Sequence, residues 1–314
     1  MTRKSSNKLL QKAKKSKSNE FYTQLCDIES ELQHYKNHFK DKVIFCNCDD
    51  AQSSNFFKYF ANNFKELGIK KLIAACYQEE KNGFFFEYTG NEGETSKPNS
   101  NDIIYFNEDG DFRNAESIEL LKQSDIVVTN PPFSLFREHV AQIIKYDKKF
   151  LIIGNINAIT YKEIFKLIKD NIAWLGINLG RGISGFIVPD HYELYGTEAR
   201  IDSFGNRIVS PNNCLWLTNL DNFKRHKDIV LTKRYFGNED DYPKYDNYEG
   251  INVNKTEYIP LDYTGHMGVP ITFLHKFNPN QFELIKFRKG DNNKDLSING
   301  KCPYFRILIK KKYD

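Results

Sequence analysis

The feature that most restricts the fold is the segment 125–133, Asp-Ile-Val-Val-Thr-Asn-Pro-Pro-Phe, in which an apolar, β-branched run meets two prolines. The run 125–129 predicts a short strand buried on both faces, as in parallel sheets. Proline lacks an N–H and disfavours the helical conformation in the residue before it, so we expect the strand to end near Asn130. In open parallel α/β sheets, ligand crevices form at this end of the strands. The segment therefore predicts an α/β fold with a ligand site at Asn130.

The tetrapeptide Asn130-Pro131-Pro132-Phe133 also suits one reaction, methyl transfer to a planar amino group such as adenine N6. Such a nitrogen is a weak nucleophile, so both of its N–H bonds have to be held while it becomes tetrahedral. The side-chain oxygen of Asn130 can accept one N–H and the carbonyl of Pro131 the other, which stabilises the developing positive charge. The prolines fix these acceptors in advance, and Phe133 can stack on the base. These four residues are the candidate catalytic residues; an ordinary Pro-Pro turn is the alternative.

Acidic residues after the first predicted strand indicate where a methyl donor binds. Val43–Cys46 is apolar and is followed by Asn-Cys-Asp-Asp, so Asp49 and Asp50 can receive the ammonium group of S-adenosylmethionine. No glycine-rich phosphate loop follows this strand, which argues against a nucleoside triphosphate or a dinucleotide. The alternative role for both acids is to cap the next helix at its N-terminus.

Two further short segments offer contacts to a donor. In Gly110-Asp111-Phe112, the carboxylate of Asp111 could accept from the adenine amino group of the donor, and Phe112 could cover the ring. Upstream of the first sheet strand, Tyr22 and Thr23 offer a stacking face and a hydroxyl. Taken alone, Gly110-Asp111-Phe112 would be an ordinary turn, and the segment with Tyr22 and Thr23 is only weak evidence for a donor site.

Composition fits an intracellular enzyme that meets a polyanion. The 314 residues are 40% hydrophobic, no apolar run approaches the ~20 residues of a membrane span, and the N-terminus lacks a signal peptide. The six cysteines lack Cys-x-x-Cys spacing, so we expect no metal site. Residues 1–20 carry seven Lys or Arg, including Lys14 and Lys15, against one acid. This asymmetry favours DNA contact through a partly disordered arm, residues 1–19, although a merely solvated tail is equally consistent with charge alone.

Periodicity predicts alternating strands and helices in residues 20–175 and a β-richer, loop-rich region in residues 176–314. The first region should form a doubly wound sheet that binds donor and substrate. The second should supply the remaining core strands and a target-recognition region. The predicted strands are 43–46, 72–77, 103–106, 125–129 and 150–153. The predicted helices are 27–40, a helix capped by Ser53 or Ser54 that ends before Gly68, 117–123 and 135–145, and the later apolar runs are 185–188, 214–218 and 271–274.

The order of these motifs resembles that of N6-adenine DNA methyltransferases of the EcoRI type, in which donor motifs precede the catalytic motif and target recognition is C-terminal. The resemblance extends along nearly the whole chain and rests on Glu20-Phe21-Tyr22-Thr23, Cys46-Asn47-Cys48-Asp49-Asp50, Ser53-to-Phe60, Gly110-Asp111-Phe112-Arg113, Ile126-to-Phe136, Gly180-Arg181-Gly182, Ser210-to-Leu220 and Gly268-to-Leu274.

This resemblance implies a class I methyltransferase fold, S-adenosylmethionine without metal, and N6-methylation of a flipped adenine in duplex DNA, with GAATTC as the suggested site. It also implies a bacterial cytosolic monomer that protects DNA from a separate restriction endonuclease. The donor site would be lined by Tyr22, Thr23, Asn47, Asp49, Asp50, Asp111 and Phe112. The first strand departs from the wider methyltransferase pattern by ending in Cys-Asn-Cys-Asp-Asp, which leaves open whether Asp49 or Asp50 contacts the donor.

DNA contacts are expected from Lys14, Lys15 and Arg181. Arg181 lies between two glycines in a predicted loop, where it could contact a guanine or a phosphate. Two other functions remain open at this point. One is methylation of a protein glutamine amide, whose nitrogen is also planar, and the other is DNA binding without catalysis by a protein of the same fold.

Overall fold

The computed structural model describes residues 22–91, 98–190, 194, 199–209 and 213–312, so the arm with Lys14 and Lys15 lies outside the described residues. The chain forms two compact units. The first contains the residues up to Ile156 together with Asn178–Leu220, and the second contains Asn157–Ile177 and the residues from Asp221 onward. The expected functional division at residue 175 stays a prediction, since a target-recognition region is defined by its DNA contacts.

The first unit is built on a large mixed sheet with α-helices, so this part of the chain is an α/β structure. Its strands, with those of a smaller sheet, are β1 Tyr22–Thr23, β2 Val43–Cys46, β3 Lys71–Cys76, β4 Phe84–Tyr88, β5 Ile104–Tyr105, β6 Ile126–Thr129, β7 Lys149–Asn155, β9 Phe186–Val188, β10 Arg200–Ile201, β11 Arg207–Val209 and β12 Cys214–Thr218. Seven of them follow the order β5-β4-β3-β2-β6-β7-β12 in the large sheet. Strand β8, Trp174–Leu179, begins in the second unit, to which its residues up to Ile177 belong.

The centre of this sheet is parallel and its flanks are antiparallel. The strands β3, β2, β6 and β7 pair in parallel, whereas β4, β5 and β12 are antiparallel to their neighbours. All four residues of β2 and of β6 are buried, as expected for central parallel strands covered on both faces. The chain passes from β2 to β3 on one side, and β6 later pairs on the other side of β2. The strand order therefore reverses between β2 and β6, where α/β sheets bind ligands at the carboxyl ends.

Two helix ends are capped by residues that suit them. Ser54 lies directly before a helix, and its Oγ accepts from the N–H groups of Phe56 and Phe57 at 3.1 and 3.3 Å. Gly68 closes the next helix with a left-handed φ of 63°, which favours glycine. The α-helices are α1 Leu25–Leu32, α2 Asn55–Asn62, α3 Phe64–Leu67, α4 Ala115–Gln123, α5 Phe136–Lys145 and, in the second unit, α6 Lys162–Lys169.

A smaller antiparallel sheet in the first unit has the order β1-β9-β11-β10. Thr23 of β1 is opposite Phe186 of β9, and Phe186 is opposite Val209 of β11. The strands β10 and β11 form a hairpin at the edge of this sheet. The N-terminal motif with Tyr22 and Thr23 is therefore a strand of a sheet that also contains residues near 186 and 209.

The second unit contains a five-stranded sheet, which confirms that the C-terminal half is rich in strands and loops. Its strands are β13 Lys244–Tyr245, β14 Tyr248–Asn252, β15 Met267–Pro270, β16 Phe282–Phe287 and β17 Arg306–Lys311, in the order β13-β14-β15-β17-β16. The chain also forms 3-10 turns at Lys36–His38, Ser100–Asp102, Phe133–Leu135, Ile156–Thr160, Gly180–Gly182, Phe223–His226, Glu239–Asp241, Thr256–Tyr258 and Ile271–Lys276.

Several elements differ from the sequence-based expectation. The predicted helix 27–40 ends at Leu32 and is followed by a separate 3-10 turn at Lys36–His38, and the predicted helix that ends before Gly68 is divided into α2 and α3. The apolar run Ile271–Leu274 belongs to a 3-10 helix rather than a strand, because Pro270 lacks an N–H and has the φ of −58° that suits the start of a helical turn. The strand Phe84–Tyr88 was not predicted; its burial alternates from residue to residue, as in a sheet flank. Among the described residues, no helix combines the length and the apolar character that a bilayer crossing requires.

Candidate active site

Asn130 lies where β6 ends, at the point where the strand order of the large sheet reverses. Its side-chain Nδ2 donates to Oγ1 of Thr23 at 3.3 Å, and Thr23 is buried. The main chain of Thr23 is held in turn by Asn55, whose Nδ2 donates to the Thr23 carbonyl at 2.8 Å. Because the amide nitrogen faces Thr23, the side-chain oxygen of Asn130 faces another direction. The structure therefore gives this amide a defined orientation.

Asp49 follows β2, the neighbouring strand, and its carboxylate is held by two hydroxyl groups. Ser54 Oγ donates to Oδ1 at 2.6 Å and Thr129 Oγ1 donates to Oδ2 at 2.5 Å. Burial raises the pKa of Asp49 to about 6, although both hydroxyl hydrogen bonds lower it. Thr129 directly precedes Asn130, so one hydrogen bond joins the acid after β2 to the chain segment that holds the Asn130 amide.

Asp50 has a different role from Asp49. Its Oδ1 accepts from the N–H of Gln52 at 2.8 Å, and its Oδ2 accepts from Oγ of Ser53 at 3.1 Å. Its carbonyl accepts from the N–H groups of Ser53 and Ser54. Asp50 thus shapes the turn before α2, as the capping alternative anticipated in part, while Asp49 forms no such local turn.

Asp111 lies in the turn after Gly110 and pairs with Arg113. Nε of Arg113 donates to Oδ1 at 2.8 Å and its terminal nitrogen donates to Oδ2 at 2.7 Å. Burial acts to raise the pKa of Asp111, but hydrogen bonds and charge from Arg113 outweigh it and the pKa is lowered. A Cβ at Gly110, where φ is +78°, would lie 2.7 Å from the carbonyl oxygen of Cys76. The turn therefore requires glycine, and both carboxylate oxygens of Asp111 have a cationic partner.

Asn47 and Phe112 meet at His139 of α5. The Oδ1 atom of Asn47 lies 3.0 Å from Nε2 of His139, and the ring of Phe112 contacts the imidazole edge-on with centroids 5.1 Å apart. His139 is fully buried, and this burial lowers its pKa to about 3. Its Nδ1 has no hydrogen-bond partner among the described residues. A neutral histidine therefore fixes the orientation of Asn47 and closes one side of Phe112.

Phe133 follows the two prolines and is half-buried against the small sheet. Its ring meets Phe186 of β9 edge-on with centroids 6.2 Å apart. Phe186 is opposite Thr23 across the strand pair β1·β9, and Tyr22 is opposite Ile187. The small sheet therefore contacts both ends of the segment 130–133, through Thr23 at Asn130 and through Phe186 at Phe133.

The segment with Arg181 is attached to α1 by two acids that the motif reading did not single out. The carboxylate of Asp27 accepts from Ser184 through the main-chain N–H at 2.9 Å and through Oγ at 2.9 Å. Oε2 of Glu31 accepts from the N–H of Asn178 at 2.8 Å and from its Nδ2 at 2.9 Å. The main chain at Arg181 forms a 3-10 turn between these two anchors.

The acids on α1 could have been found from their spacing, since Asp27 and Glu31 are four residues apart and so share one helix face. Thr129 also escaped assignment as a partner of Asp49, because nothing local links residues 80 positions apart in sequence. Ser54 was predicted, with Ser53 as the alternative, only as a helix cap, a role it has in addition to its hydrogen bond to Asp49. Within the described residues, no group of three or more His, Cys, Asp or Glu could hold a metal ion.

The donor set at Asp49 suits the ammonium group of S-adenosylmethionine. Its two described hydrogen-bond partners are neutral hydroxyls, so the carboxylate keeps its charge when ionised and retains lone pairs for a cationic ligand. Asp111 already has Arg113 as its counter-ion, and Asp50 is engaged by the turn. Of the two acids that the sequence left open, Asp49 has the surroundings that fit the donor better.

Comparison with protein families gives one match over almost the whole chain. The family described as Adenine-specific methyltransferase EcoRI matches residues 9–312. No solved structure gives a significant match.

Three curated relatives align over nearly their full length. Type II methyltransferase M.EcoRI of Escherichia coli is 70% identical over 322 aligned positions, which cover 99% of each chain. Type II methyltransferase M.MgeORF184P of Mycoplasma genitalium is 38% identical, with 96% of this chain and 98% of the relative covered. Type II methyltransferase M.MpnI of Mycoplasma pneumoniae is also 38% identical, with 96% and 97% covered.

Proposed function

Because the chain belongs to the EcoRI family of adenine-specific methyltransferases, we propose that it methylates adenine N6 in duplex DNA with S-adenosylmethionine as the donor. It is an enzyme, an adenine-specific methyltransferase of the type II class found in restriction-modification systems. The observation that carries the proposal is the junction of β2 and β6, where the acid Asp49 and the amide Asn130 follow adjacent parallel strands and Thr129 hydrogen-bonds to Asp49 at 2.5 Å. We propose that the first unit has the class I methyltransferase fold.

In this proposal Asn130 and Pro131 hold the substrate amino group. The Asn130 side-chain oxygen accepts one N–H, and the Pro131 carbonyl accepts the other. Both contacts strengthen as the nitrogen gains positive charge, so they lower the barrier more than they favour substrate binding. Thr23 supports the orientation of the amide by accepting from its Nδ2. Pro132 fixes the turn, and Phe133 supplies the ring face on which the base stacks.

Asp49 binds the ammonium group of the donor, while Asn47, Phe112, Tyr22 and Thr23 line the rest of its site. Bound S-adenosylmethionine supplies an electrophilic methyl group to the adenine nitrogen. Asp50 contributes indirectly by fixing the turn that carries Asp49. We assign Asp111 the same indirect role through its pair with Arg113.

A target adenine lies inside the DNA stack, so we propose that the enzyme flips it out at a cost of a few kcal/mol. GAATTC is the proposed site, because the relative named M.EcoRI covers 99% of this chain at 70% identity. Arg181 and the basic arm with Lys14 and Lys15 are the proposed DNA contacts. We further propose a monomer in the bacterial cytosol whose methylation protects DNA from a cognate endonuclease that forms no stable complex with it.

The proposal is tested with labelled S-adenosylmethionine and two duplexes that differ only in an intact or a scrambled GAATTC. Label recovered as N6-methyladenine from the intact duplex alone would support donor, reaction and site together. Label in both duplexes would overturn the site, and label in neither, with donor bound, would overturn the DNA substrate and favour a protein amide.

The role of Asn130 is tested by single-turnover methylation. Asn130→Ala should lower the rate about 100- to 1,000-fold, as when a hydrogen-bonding group aimed at developing charge is removed, and should leave donor affinity nearly unchanged. The matched control is Asn55→Ala, which removes only the support behind Thr23 and should have a smaller effect. A wild-type rate for Asn130→Ala would refute the assignment.

A further inference from the structure

The hairpin of β10 and β11 presents a phenylalanine to solvent at its tip. Phe204 is 88% exposed, the most exposed of the large apolar side chains among the described residues, and Ile201 beside it is 59% exposed. Single exposed apolar residues are common and need no explanation by themselves. The conformation of this tip, however, distinguishes it from a flexible loop.

One carboxylate holds the tip in place. Oδ1 of Asp202 accepts from the N–H groups of Phe204 and Asn206, each at 2.9 Å, and Oδ2 accepts from Nδ2 of Asn206 at 2.9 Å. The main chain of Asp202 and Asn206 also pairs across the loop at 3.0 Å. Gly205 takes the left-handed φ of +84°, with no atom within 4 Å of a Cβ at that position. The tip is thus preorganised, and its phenylalanine is exposed to solvent.

The hairpin is attached to the candidate active site through continuous strand pairing. Arg207, Ile208 and Val209 pair with β9, whose Phe186 is opposite Thr23, and Thr23 accepts from Asn130. Phe204 lies five positions before Val209, so the tip is at most roughly 16 Å from Val209, whose partner Phe186 is opposite Thr23. At about 3.4 Å per base step this limit corresponds to about five steps, so the tip is within reach of the bases near a target adenine held at Asn130.

Charge on the hairpin also suits DNA. Arg200 and Arg207 lie on the two strands below the tip, and Arg200 is exposed. Hydrogen bonds from Asn206, most of all the one from its side-chain amide, lower the pKa of Asp202. The carboxylate that shapes the tip therefore stays ionised near neutral pH. An apolar side chain on a rigid hairpin flanked by arginines has the features of a wedge that unstacks a base step.

We propose that Phe204 inserts into the base stack within or beside the recognition sequence and stabilises the deformed duplex from which the target adenine leaves. The inference rests on the proposed function, since it needs a flipped adenine at Asn130. It assigns Phe204 a DNA contact and Asp202 and Gly205 a positioning role, and it requires no chemistry from any of them.

The experiment compares single-turnover methylation of two GAATTC duplexes, one fully paired and one in which the target adenine faces an abasic site. Phe204→Ala should be about 10- to 100-fold slower than wild type on the paired duplex, because it lacks the ring whose contacts with the bases offset the free-energy cost of unstacking them. It should lie within about threefold of wild type on the opened duplex, where flipping costs less. Phe204→Trp should retain activity on both.

Phe236→Ala is the matched control, since Phe236 is 64% exposed and belongs to the second unit. It should match wild type on both duplexes. Fluorescence of 2-aminopurine at the target position should rise on binding of wild type and rise less with Phe204→Ala.

Equal rates for Phe204→Ala and wild type on both duplexes would overturn the wedge. A loss of the same size on both would overturn it too, by pointing to weakened binding or folding rather than to base opening. If wild type methylates neither duplex, the proposed function fails and this inference fails with it. Methylation by wild type together with an unaffected Phe204→Ala leaves the proposed function standing and removes only the wedge.

Discussion

Two parts of the first unit contain an acid expected at the donor site, yet they hold it in opposite ways. At the end of β2, the carboxylate of Asp49 accepts from two neutral hydroxyls and its pKa is raised to about 6. In the turn after Gly110, the carboxylate of Asp111 is paired in bidentate fashion with Arg113 and its pKa is lowered. An acid whose partners are neutral can take a cationic ligand, whereas an acid that already has a counter-ion is more suited to hold a turn. The same residue type therefore indicates a ligand contact in one place and a structural contact in the other.

The largest expected effect separates the two acids directly. Asp49→Asn keeps the side-chain volume and removes the charge, so it should weaken S-adenosylmethionine binding by about 100-fold, the loss typical of an ion pair left with one partner. Asp111→Asn should weaken it less than about threefold. Isothermal titration of the full-length variants measures both.

Asp50→Asn is the matched control, because it removes the charge of the neighbouring acid, which is engaged in the turn before α2 and not in the proposed donor contact. It should bind the donor nearly as well as wild type. Equal losses for Asp49→Asn and Asp111→Asn would remove the distinction between the two regions.

The second expected effect is a pH dependence that Asp49 alone should cause. Donor binding needs the ionised carboxylate, so affinity should fall about tenfold per pH unit below the pKa of about 6 and be constant above it. The stability of the free protein should respond in the opposite direction. Because the folded pKa lies above the ordinary value of 3.8, Asp49 contributes stability below pH 4 that is lost as the pH rises toward 6.

Donor affinity and the stability of the free protein, each measured between pH 4.5 and 8, should therefore change in opposite directions with pH. Asp111, with a lowered pKa, should not titrate in this window. A donor affinity that stays constant down to pH 5 would show that Asp49 is not the ammonium partner.

The sequence predicted the strands of the active site well but not the contacts between them. Val43–Cys46 and Cys214–Thr218 were predicted with the bounds that the structure has, because continuous apolar runs of this length specify buried strands. The strand Phe84–Tyr88 was missed, since it leads into a Gly- and Asn-rich segment that dominated the local pattern. Local patterns thus specify individual elements, whereas strand order arises from long-range pairing.

The same limit applies to side chains. Asp49 and Asn130 could be chosen from chemistry and from their place after strands, but the Thr129–Asp49 bond joins residues 80 apart and depends on the parallel register of β2 and β6. The Asp111–Arg113 pair, two residues apart, was in principle visible as opposite charges in one turn. That Arg113 occupies both carboxylate oxygens of Asp111, and so leaves this acid less suited to bind the donor, could be seen only from the bidentate geometry of the structure.

The third effect tests the hydroxyl support of Asp49. Thr129→Val replaces a fully buried hydroxyl by a methyl of similar volume, so Asp49 loses one of two hydrogen bonds that lower its pKa. The midpoint of the pH dependence should move upward, and donor affinity at pH 7 should fall about three- to tenfold. Ser54→Ala removes the other hydroxyl and also the cap of α2, so it should in addition lower thermal stability by about 1 kcal/mol. An unchanged midpoint in Thr129→Val would mean that burial alone controls Asp49.

The smallest effect is expected at Arg113. Its side chain is 49% exposed and that of Asp111 is 16% exposed, so the pair is partly screened by solvent, and Arg113→Ala should cost no more than about 1 kcal/mol of stability. Donor affinity should stay within about twofold of wild type, because Asp111 then keeps only the main-chain N–H of residue 113 at 2.9 Å and the turn is still fixed by Gly110. Thermal unfolding and donor titration of one preparation measure both quantities. A clear gain in donor affinity would mean that Arg113 competes with the donor for Asp111, and the turn after Gly110 would then be a ligand site like the end of β2.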